Sequence, residues 1–326
     1  MIFEYKGESL HFDNLNLSEI ADDFGTPCYV YSRRLIERNF KEYQIAFGER
    51  EHLICYAVKA NSNLSILKVL KALGAGFDIV SDGELERVKC VENSCLNIVY
   101  SGVGKTEAEI ENAMKSGVGC VNLESQDELK MILAIAKRLG IVLPVAVRVN
   151  PNVNPNTHPY ISTGLKENKF GVPIEDAREL YKVASDSDSL MPIGIACHIG
   201  SQLTDPSPVV EALLEVVQLA EELKAIGIPL KDIDVGGGLG IKYSETDSVP
   251  NIKEYGRIIE RALGNSGCKI IFEPGRYIVG NAGLLVTKVI YKKRGEKKDF
   301  LILDCAMNDF SRPALYGATH RVIPLK

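Results

Sequence analysis

A lysine at the end of an apolar run is the first residue of this chain whose type and position suggest chemistry. Lys59 lies in the run CYAVKAN, after residues that would form a buried strand. Desolvation at such a place lowers the pKa of an amine and makes it a usable nucleophile toward a carbonyl carbon. A lysine that reaches from a strand end into solvent is the alternative interpretation.

Two short motifs carry other groups that an active site would need. In EPGR, Glu273 follows an apolar run, and the turn at Pro274 and Gly275 directs Arg276 back toward the same space. In DVGGGLG, which begins at Asp234, the glycines leave backbone N–H groups free to hold an anion such as phosphate. A buried Glu–Arg ion pair and a plain tight turn are the respective structural alternatives.

Three familiar ligand-binding patterns are excluded. DVGGGLG lacks the third glycine of a dinucleotide fingerprint, because Ile241 occupies that position. SGVGKT lacks the first glycine of a nucleotide-binding P-loop, because Val99 occupies it. His198 in ACHIGSQ accompanies the other polar groups, whereas the remaining four histidines show no metal-ligand spacing, so no metal site is predicted.

Strand and helix patterns alternate from about residue 33 and must position these groups. Eight short apolar runs predict buried strands: Leu53–Val58, Phe77–Val80, Asn97–Tyr100, Gly119–Leu123, Pro144–Val149, Gly194–Cys197, Asp232–Val235 and Ile270–Phe272. Amphipathic segments between them predict helices: Leu64–Leu73, Glu84–Val91, Glu107–Ser116, Gln126–Leu139, Ile174–Ala184 and Val209–Ile226. This alternation fits a closed (β/α)₈ barrel, for which about 250 residues are typical. A doubly wound open sheet is the alternative.

Barrel active sites lie at the C-terminal ends of the strands. That edge collects charged and hydrogen-bonding residues here: Lys59, Asp78, Ser101, Asn122, Glu124, Arg148, Asn150, His198, Ser201, Gly236–Gly238 and Glu273–Arg276. We expect these side chains to converge at one mouth of the barrel.

The two ends of the chain differ from the middle. Short strand-like pieces occur at Ile2–Tyr5 and Cys28–Tyr31, and again at Gly283–Lys293 and Phe300–Asp304. The predicted fold is therefore α/β: a (β/α)₈ TIM barrel over residues 33–272, with a second, smaller β domain from residues 1–32 and 273–326. A long loop is expected at Asn150–Gly171, and loops of that length are usually functional.

Composition excludes several classes of protein. The 326 residues are 45% hydrophobic and 25% charged with a net charge of −5, which does not favour a nucleic-acid partner. No apolar run approaches the roughly 18 residues of a membrane span, and the N-terminal segment MIFEYKGESLHF does not resemble a secretory signal. The eight cysteines form no CxxC pair and fit reduced thiols in a cytoplasmic protein.

Jointly, the motifs resemble those of the barrel-type, fold-type III pyridoxal-phosphate-dependent decarboxylases. YAVKAN, HIGSQ, DVGGGLG and EPGR carry this resemblance, and THPYISTGLKENKFGV with AMNDFSRPALYGA narrows it to the diaminopimelate decarboxylases. The similarity runs from about residue 20 to the end of the chain. It implies pyridoxal 5'-phosphate as the cofactor and decarboxylation of meso-2,6-diaminopimelate to L-lysine, a reaction of lysine biosynthesis.

The resemblance also implies residue roles. Lys59 would form the Schiff base with the cofactor, and His198 would stack on its ring. Glu273 would keep the ring nitrogen protonated, so that the carbanion left by CO₂ loss delocalises as a quinonoid. The other cofactor contacts would come from Asp78, Ser201, Gly237, Gly238, Pro274, Gly275 and Arg276.

The same resemblance implies which residues select the substrate, and their charge favours diaminopimelate. Arg312 and Tyr316 in SRPALYGA would bind the far carboxylate of diaminopimelate together with Arg276, because a guanidinium offers paired donors to a carboxylate. Decarboxylases of ornithine or arginine need acidic groups at that place.

The family continues beyond Lys326, where this chain stops. The resemblance implies a later Cys-Glu-Ser-Gly-Asp segment whose cysteine donates a proton from the partner subunit. We therefore expect a C-terminally incomplete form of a homodimer with a shared active site, and the sequence leaves its activity open.

Three other functions stay open at this point. The chain could decarboxylate ornithine, arginine or carboxynorspermidine, it could be a non-catalytic pyridoxal-phosphate-binding barrel protein, or it could be a metabolic barrel without this cofactor. A comparison of substrates distinguishes the other decarboxylases from a diaminopimelate decarboxylase. An absorbance band that Lys59→Ala abolishes would exclude a barrel without this cofactor.

Overall fold

Short apolar runs bounded by turns form the strands at the centre of the molecule. The computed structural model describes residues 3–153, 169–228 and 230–325. The strands in these ranges are β1 (Phe3–Lys6), β2 (Ser9–Phe12), β3 (Leu15–Asn16), β4 (Cys28–Tyr31), β5 (His52–Ala57), β6 (Gly76–Ile79), β7 (Ile98–Tyr100), β8 (Cys120–Leu123), β9 (Leu143–Asn150), β10 (Val172–Pro173), β11 (Leu190–Ala196), β12 (Asp232–Asp234), β13 (Lys269–Phe272), β14 (Gly283–Val286), β15 (Val289–Lys293) and β16 (Phe300–Leu303).

The helices alternate with these strands through the middle of the chain. In the same described ranges they are α1 (Leu17–Phe24), α2 (Arg33–Ala46), α3 (Leu64–Ala72), α4 (Asp82–Lys89), α5 (Glu107–Ser116), α6 (Gln126–Leu139), α7 (Ile174–Ser185), α8 (Ser207–Ala225), α9 (Ile252–Leu263), α10 (Arg276–Val279) and α11 (Arg312–Tyr316). A short 3₁₀ turn, Val58–Ala60, follows β5.

Eight of the described strands close into a parallel barrel. The order is β5, β6, β7, β8, β9, β11, β12 and β13, and β13 pairs with β5 through Phe272 and Ile54. The middle strands are buried along their whole length, as in β6 and β8, which is typical of parallel sheets covered by helices. The predicted (β/α)₈ barrel is confirmed, and the doubly wound alternative is excluded because the sheet has no open edge among these eight strands.

Local sequence explains where the barrel helices begin and end. Thr106 caps α5 by accepting from the backbone N–H of Glu109, whose side chain accepts in turn from the backbone of Thr106. Gly117 ends the same helix with a φ of 71°, a left-handed conformation that glycine adopts without strain. Each of the six predicted helices is present, with bounds that differ from the prediction by two residues or fewer.

The strands at the two ends of the chain pair with each other at one place. β4 and β14 run antiparallel, with Tyr31 opposite Gly283 and Cys28 opposite Val286. β1, β2 and β3 form a small antiparallel sheet, and β15 and β16 form a two-stranded one. The β structure predicted outside the barrel is therefore present.

The chain divides into two units. One contains Met1–Leu35, Lys242–Asp247 and Gly280–Lys326, and the other contains Ile36–Ile241 and Ser248–Val279. We call the second the barrel unit and the first the β unit. The predicted loop at Asn150–Gly171 lies outside the described residues from 154 to 168, as does most of the THPYISTGLKENKFGV motif. Within the described ranges, no helix combines the length and apolar character that crossing a membrane requires.

Candidate active site

The C-terminal ends of the barrel strands bring the predicted polar residues together. Lys59 follows β5 on the 3₁₀ turn, and Asp78 lies in β6 directly opposite Ala57, so the two side chains leave neighbouring strands. Lys59 Nζ donates a hydrogen bond to Asp78 Oδ2 over 2.5 Å. The Asp78 side chain is fully buried, whereas half of the Lys59 side-chain surface is exposed.

The charge environment of Lys59 differs from the sequence-based prediction. Burial acts to lower the pKa of Lys59, but the carboxylates of Asp78 and Glu273 outweigh burial, and the pKa is raised. The predicted lowering was wrong because desolvation was considered without the partner, which stands 19 residues further along the chain. In the protein without a ligand, Lys59 is therefore an ammonium group.

Glu273 belongs to a cluster of buried carboxyl groups. Its Oε1 accepts a hydrogen bond from Ser101 Oγ at 3.3 Å. Burial raises the pKa of Glu273 well above its usual range, and the nearby Asp234 and Asp78 raise it further, while Lys59 opposes them. The cluster thus contains three carboxyl groups and the single amine of Lys59, so a second positive charge would be favourable there.

Asp234 is a member of this cluster that the sequence analysis did not assign to the site. It ends β12, and its Oδ1 accepts from the backbone N–H of Gly236 at 2.8 Å. Burial raises the pKa of Asp234 to about 6, although the Gly236 N–H acts in the opposite direction. Asp234 is the first residue of DVGGGLG and stands at a strand end, which is the signal that could have assigned it to the site. The motif was interpreted only as a phosphate-binding segment because of its three glycines.

The glycine segment after β12 packs too closely for side chains. A Cβ on Gly237 would fall on the carbonyl oxygen of Glu273, and one on Gly238 would fall on the carbonyl oxygen of Gly200. Gly236 and Gly238 have positive φ angles of 70° and 101°, which favour glycine. The segment is thus a bare backbone surface between the loops that follow β11 and β13.

Arg276 and Ser201 meet beside this surface. Arg276 Nε and a terminal guanidinium nitrogen donate to Ser201 Oγ at 3.3 and 3.2 Å. The turn before Arg276 is fixed to the end of β5, because Pro274 O accepts from Ala57 N at 3.2 Å. Gly275 packs against the 3₁₀ turn that follows β5, and a Cβ on Gly275 would approach the Cβ of Ala60 to 2.9 Å.

His198 is a neutral, oriented ring. Its Nδ1 accepts from the backbone N–H of Gly237 at 3.3 Å, which places the ring proton on Nε2. Burial lowers the pKa of His198 well below its usual value, and the positive charges of Arg148 and Lys59 lower it further. The ring therefore remains uncharged at neutral pH.

A buried ion pair joins the loops on the opposite side of the mouth. Glu124 Oε1 accepts from Arg148 at 2.9 Å and from the backbone N–H of Gly102 at 3.2 Å. Glu124 Oε2 accepts from the backbone N–H of Gly171 at 2.7 Å. Arg148 also lies over the ring of Phe170 at 4.9 Å. The pair fixes the ends of strands β7, β8 and β9 relative to one another.

Arg312 and Tyr316, the predicted substrate-binding residues, belong to the β unit. The Arg312 guanidinium lies over the ring of Tyr243 at 4.7 Å and over that of Tyr316 at 5.8 Å. His320 contacts the Tyr243 ring edge to face at 5.8 Å. Within this unit, the guanidinium of Arg312 therefore contacts two aromatic rings.

The residues of the barrel unit fit pyridoxal phosphate. Buried Asp78 Oδ1 lacks a hydrogen-bond partner, and the acidic cluster of Asp78, Asp234 and Glu273 suits a protonated ring nitrogen better than a neutral group. Lys59 supplies an amine, His198 a flat uncharged ring, and the side-chain-free glycine surface with Ser201 and Arg276 supplies donors for a phosphate.

The comparison with known families agrees with this chemistry. Residues 33–280 match the pyridoxal binding domain of the pyridoxal-dependent decarboxylases. The class is thus a pyridoxal-phosphate-dependent decarboxylase built on a (β/α)₈ barrel. A diaminopimelate decarboxylase of Neisseria meningitidis serogroup A is 50% identical over 314 residues, which are 96% of this chain and 77% of that protein.

Solved structures give the same result. Diaminopimelate decarboxylase from Helicobacter pylori in complex with L-lysine is 46% identical and superposes with a TM-score of 0.91 over 94% of this chain and 77% of that one. The enzyme from M. jannaschii, also with L-lysine, is 40% identical with a TM-score of 0.91 over 98% of this chain and 76% of that one. The chain belongs to the diaminopimelate decarboxylase family.

Proposed function

We propose that this chain catalyses the pyridoxal-phosphate-dependent decarboxylation of meso-2,6-diaminopimelate to L-lysine in lysine biosynthesis. The observation that carries the proposal is the combination of Lys59 with a buried acidic cluster at the barrel mouth. The relatives named above, which are 40% to 50% identical to this chain over the aligned residues, support the same reaction. The enzyme is a carboxy-lyase.

Lys59 is the residue that binds the cofactor aldehyde. Its ammonium group must lose a proton before the nitrogen can form a bond to carbon, and Asp78 is the base in contact with it. Because Asp78 is buried beneath the lysine, the carboxylate also fixes the direction from which Nζ approaches. Asp78 is therefore proposed as a positioning residue for the amine and as part of the cofactor's surroundings.

Glu273 is proposed to face the ring nitrogen of the cofactor. When bound, pyridoxal phosphate supplies a ring that accepts the electron pair left by CO₂ departure, and protonation of its nitrogen strengthens that effect. Glu273 loses its proton readily only beside a positive charge, because burial and two neighbouring acids raise its pKa. The carboxyl group thus holds a proton at the ring nitrogen.

The remaining barrel residues bind and orient. His198 presents an uncharged ring for stacking, and its orientation is fixed by Gly237. Gly237 and Gly238 offer backbone donors without side chains, and Ser201 and Arg276 add a hydroxyl and a guanidinium at their side. Pro274 and Gly275 fix the position of Arg276 by packing against the turn that carries Lys59.

Arg312 and Tyr316 are proposed to select the substrate, with Arg276. A guanidinium recognises the carboxylate at the far end of diaminopimelate and repels the cationic tails of ornithine and arginine. The rings of Tyr243 and Tyr316 fix the plane of Arg312 within the β unit. Arg312→Lys is expected to raise KM for meso-diaminopimelate about tenfold, because a lysine cannot form the paired hydrogen bonds.

The test of the cofactor site uses the purified chain and borohydride. Reduction in the presence of pyridoxal phosphate is expected to add the phosphopyridoxyl mass to the peptide that contains Lys59. Lys59→Ala abolishes this addition and the associated absorbance band, whereas Lys130→Ala, an exposed lysine on α6, keeps both. Absence of the adduct on Lys59 in the unaltered protein would overturn the proposal.

A substrate comparison tests the reaction itself. CO₂ release from meso-diaminopimelate is expected to exceed release from ornithine, arginine or carboxynorspermidine. Preference for one of those three supports the alternative decarboxylases. Lys59-dependent cofactor binding without CO₂ release from any of the four supports a non-catalytic pyridoxal-phosphate-binding protein.

We further propose that the protein forms a homodimer in which the subunits share the active site. We also propose that it is located in the cytoplasm. The exposed apolar side chains of β15 and β16, such as Tyr291 and Leu301, support the presence of a protein partner. Light scattering on the purified chain measures its mass directly, and a monomer at micromolar concentration contradicts this part of the proposal.

A further inference from the structure

A line of hydrogen bonds crosses the barrel mouth and ends on Glu273. Asn122 Nδ2 donates to Ser101 Oγ at 3.0 Å, and Ser101 Oγ donates to Glu273 Oε1 at 3.3 Å. Asn122 lies in β8, Ser101 follows β7, and Glu273 follows β13, which is separated from β7 by two strands. Side chains from three different strand ends therefore meet below the barrel mouth.

The direction of these hydrogen bonds is fixed by the chemistry of the groups. An amide nitrogen donates and does not accept, so the hydroxyl of Ser101 uses an oxygen lone pair toward Asn122 and its proton toward Glu273. A hydrogen bond from a hydroxyl stabilises a carboxylate more than a carboxylic acid at the same acceptor. Ser101 thus favours the ionised form of Glu273.

This hydrogen bond acts in the same direction as the positive charge of Lys59 and against burial and the two neighbouring acids. Asn122 and Ser101 are 2% and 5% exposed, so bulk water does not compete for this hydrogen bond. Asp234 and Asp78 repel a negative charge on Glu273. Ser101 is the residue in the described part of the barrel unit whose side-chain hydroxyl donates to Glu273.

We infer that Ser101, oriented by Asn122, is a positioning residue that holds Glu273 in place and in its ionised form toward the ring nitrogen of the cofactor. The inference rests on the proposed function, because it assigns Glu273 to that nitrogen. It extends the cofactor site to two residues beneath Glu273 that need not touch the cofactor.

Cofactor affinity of the apoprotein provides the test. Titration of the purified chain with pyridoxal phosphate, followed by absorbance, is expected to show about tenfold weaker binding for Ser101→Ala, since a lost hydrogen bond to a charged group is worth roughly that factor. Asn122→Ala is expected to weaken binding about threefold, because the hydroxyl keeps its acceptor but loses its orientation. Ser266→Ala is the matched control: it removes a buried hydroxyl in the same unit that has no hydrogen-bond partner.

Combined variants separate positioning from general structure. In a Glu273→Gln background, Ser101→Ala is expected to have little further effect. The pH below which affinity falls should move upward in Ser101→Ala, because Glu273 then binds its proton more tightly. A structural defect would persist undiminished in the Glu273→Gln background and would leave that pH unchanged.

The outcomes distinguish the two proposals. If the unaltered chain binds the cofactor on Lys59 but Ser101→Ala binds it equally well at every pH, the inference is overturned and the proposed function stands. An undiminished effect of Ser101→Ala beside Glu273→Gln overturns it as well. If the unaltered chain does not bind pyridoxal phosphate at all, the proposed function fails, and the inference fails with it.

Discussion

The amine of Lys59 and the carboxylate of Asp78 are joined by a 2.5 Å hydrogen bond between the ends of adjacent barrel strands. Asp78 lies in β6 at the position that pairs with Ala57, two residues before Lys59. The backbone register of two strands therefore sets the distance between nucleophile and base. Because the pair is charged, the amine must transfer its proton before it binds a carbonyl carbon.

Asp78→Asn is expected to change the pH dependence of cofactor capture. Asp78 is the largest influence that raises the pKa of Lys59. Without its charge the pKa of the amine falls, and the neutral amine is available at lower pH. The pH midpoint for the rate of pyridoxal phosphate capture, measured by stopped-flow absorbance, should therefore move downward. Asp188→Asn, at an exposed position, is the control, and an upward shift in Asp78→Asn contradicts the assignment.

Asp234→Asn is expected to stabilise the apoprotein at pH 8 but not at pH 4. Folding raises the pKa of Asp234 from 3.8 to about 6, so the folded protein binds more protons than the unfolded chain between these values. Ionisation of the buried Asp234 carboxyl group therefore lowers the free energy of unfolding. This loss is absent below pH 3.8, grows as the pH rises to 6 and is constant above it, where it reaches up to about 3 kcal/mol. An asparagine keeps an oxygen for the Gly236 N–H and has no charge to bury. Urea unfolding at both pH values measures the difference, and an equal gain at pH 4 contradicts this account.

The same substitution should weaken cofactor binding. Removal of a negative charge from the cluster around Glu273 makes the site less favourable for a protonated ring nitrogen. We expect about a tenfold higher dissociation constant for pyridoxal phosphate. A variant that gains stability while its affinity stays unchanged would show that Asp234 does not act on the cofactor.

Gly237→Ala is expected to disturb both the glycine segment and Glu273. The added methyl group would occupy the place of the Glu273 carbonyl oxygen, so one of the two backbones must move. Such overpacking costs about 1–3 kcal/mol in the free energy of unfolding. Gly104→Ala is the control, because a Cβ there meets no atom within 4 Å. Urea unfolding and cofactor titration together check the result, and equal behaviour of the two variants contradicts the predicted close packing.

Glu124→Ala is expected to destabilise the barrel strongly. The substitution leaves Arg148, which is 8% exposed, without its partner and removes the acceptor for two backbone N–H groups. Loss of one partner of a buried ion pair typically costs 3–5 kcal/mol, roughly the effect expected here on the free energy of unfolding. Lys130→Ala breaks an exposed ion pair with Asp127 and should cost less than about 1 kcal/mol. Similar urea midpoints for the two variants would contradict the structural role of Glu124.

The barrel and most of its polar mouth could be predicted from sequence. Apolar runs and amphipathic segments repeat at short intervals, and polar residues such as Lys59 and Glu273 stand where strands end. The sequence did not reveal the charge state of Lys59, because that depends on the register of β5 against β6. It did not assign Asp234 to the acidic cluster either, since the residue precedes glycines with a more familiar role.

Helix bounds were easier to predict than pairing between distant segments. α5 and α6 have the predicted bounds, because capping residues and glycines mark their ends locally. The path from Asn122 through Ser101 to Glu273 joins residues more than 150 positions apart, and no local pattern reports it. Hydrogen bonds between side chains on non-adjacent strands depend on the closure of the barrel and therefore require the three-dimensional structure.

The antiparallel pair formed by β4 and β14 has a consequence for synthesis of the protein. Cys28–Tyr31 leave the ribosome early, yet their partner Gly283–Val286 is made some 250 residues later. During translation β4 therefore remains unpaired until β14 has been synthesised, while the helices and strands between them can already assemble. A nascent chain halted before residue 283 should therefore expose this segment to protease or to a chaperone, however far the rest has folded.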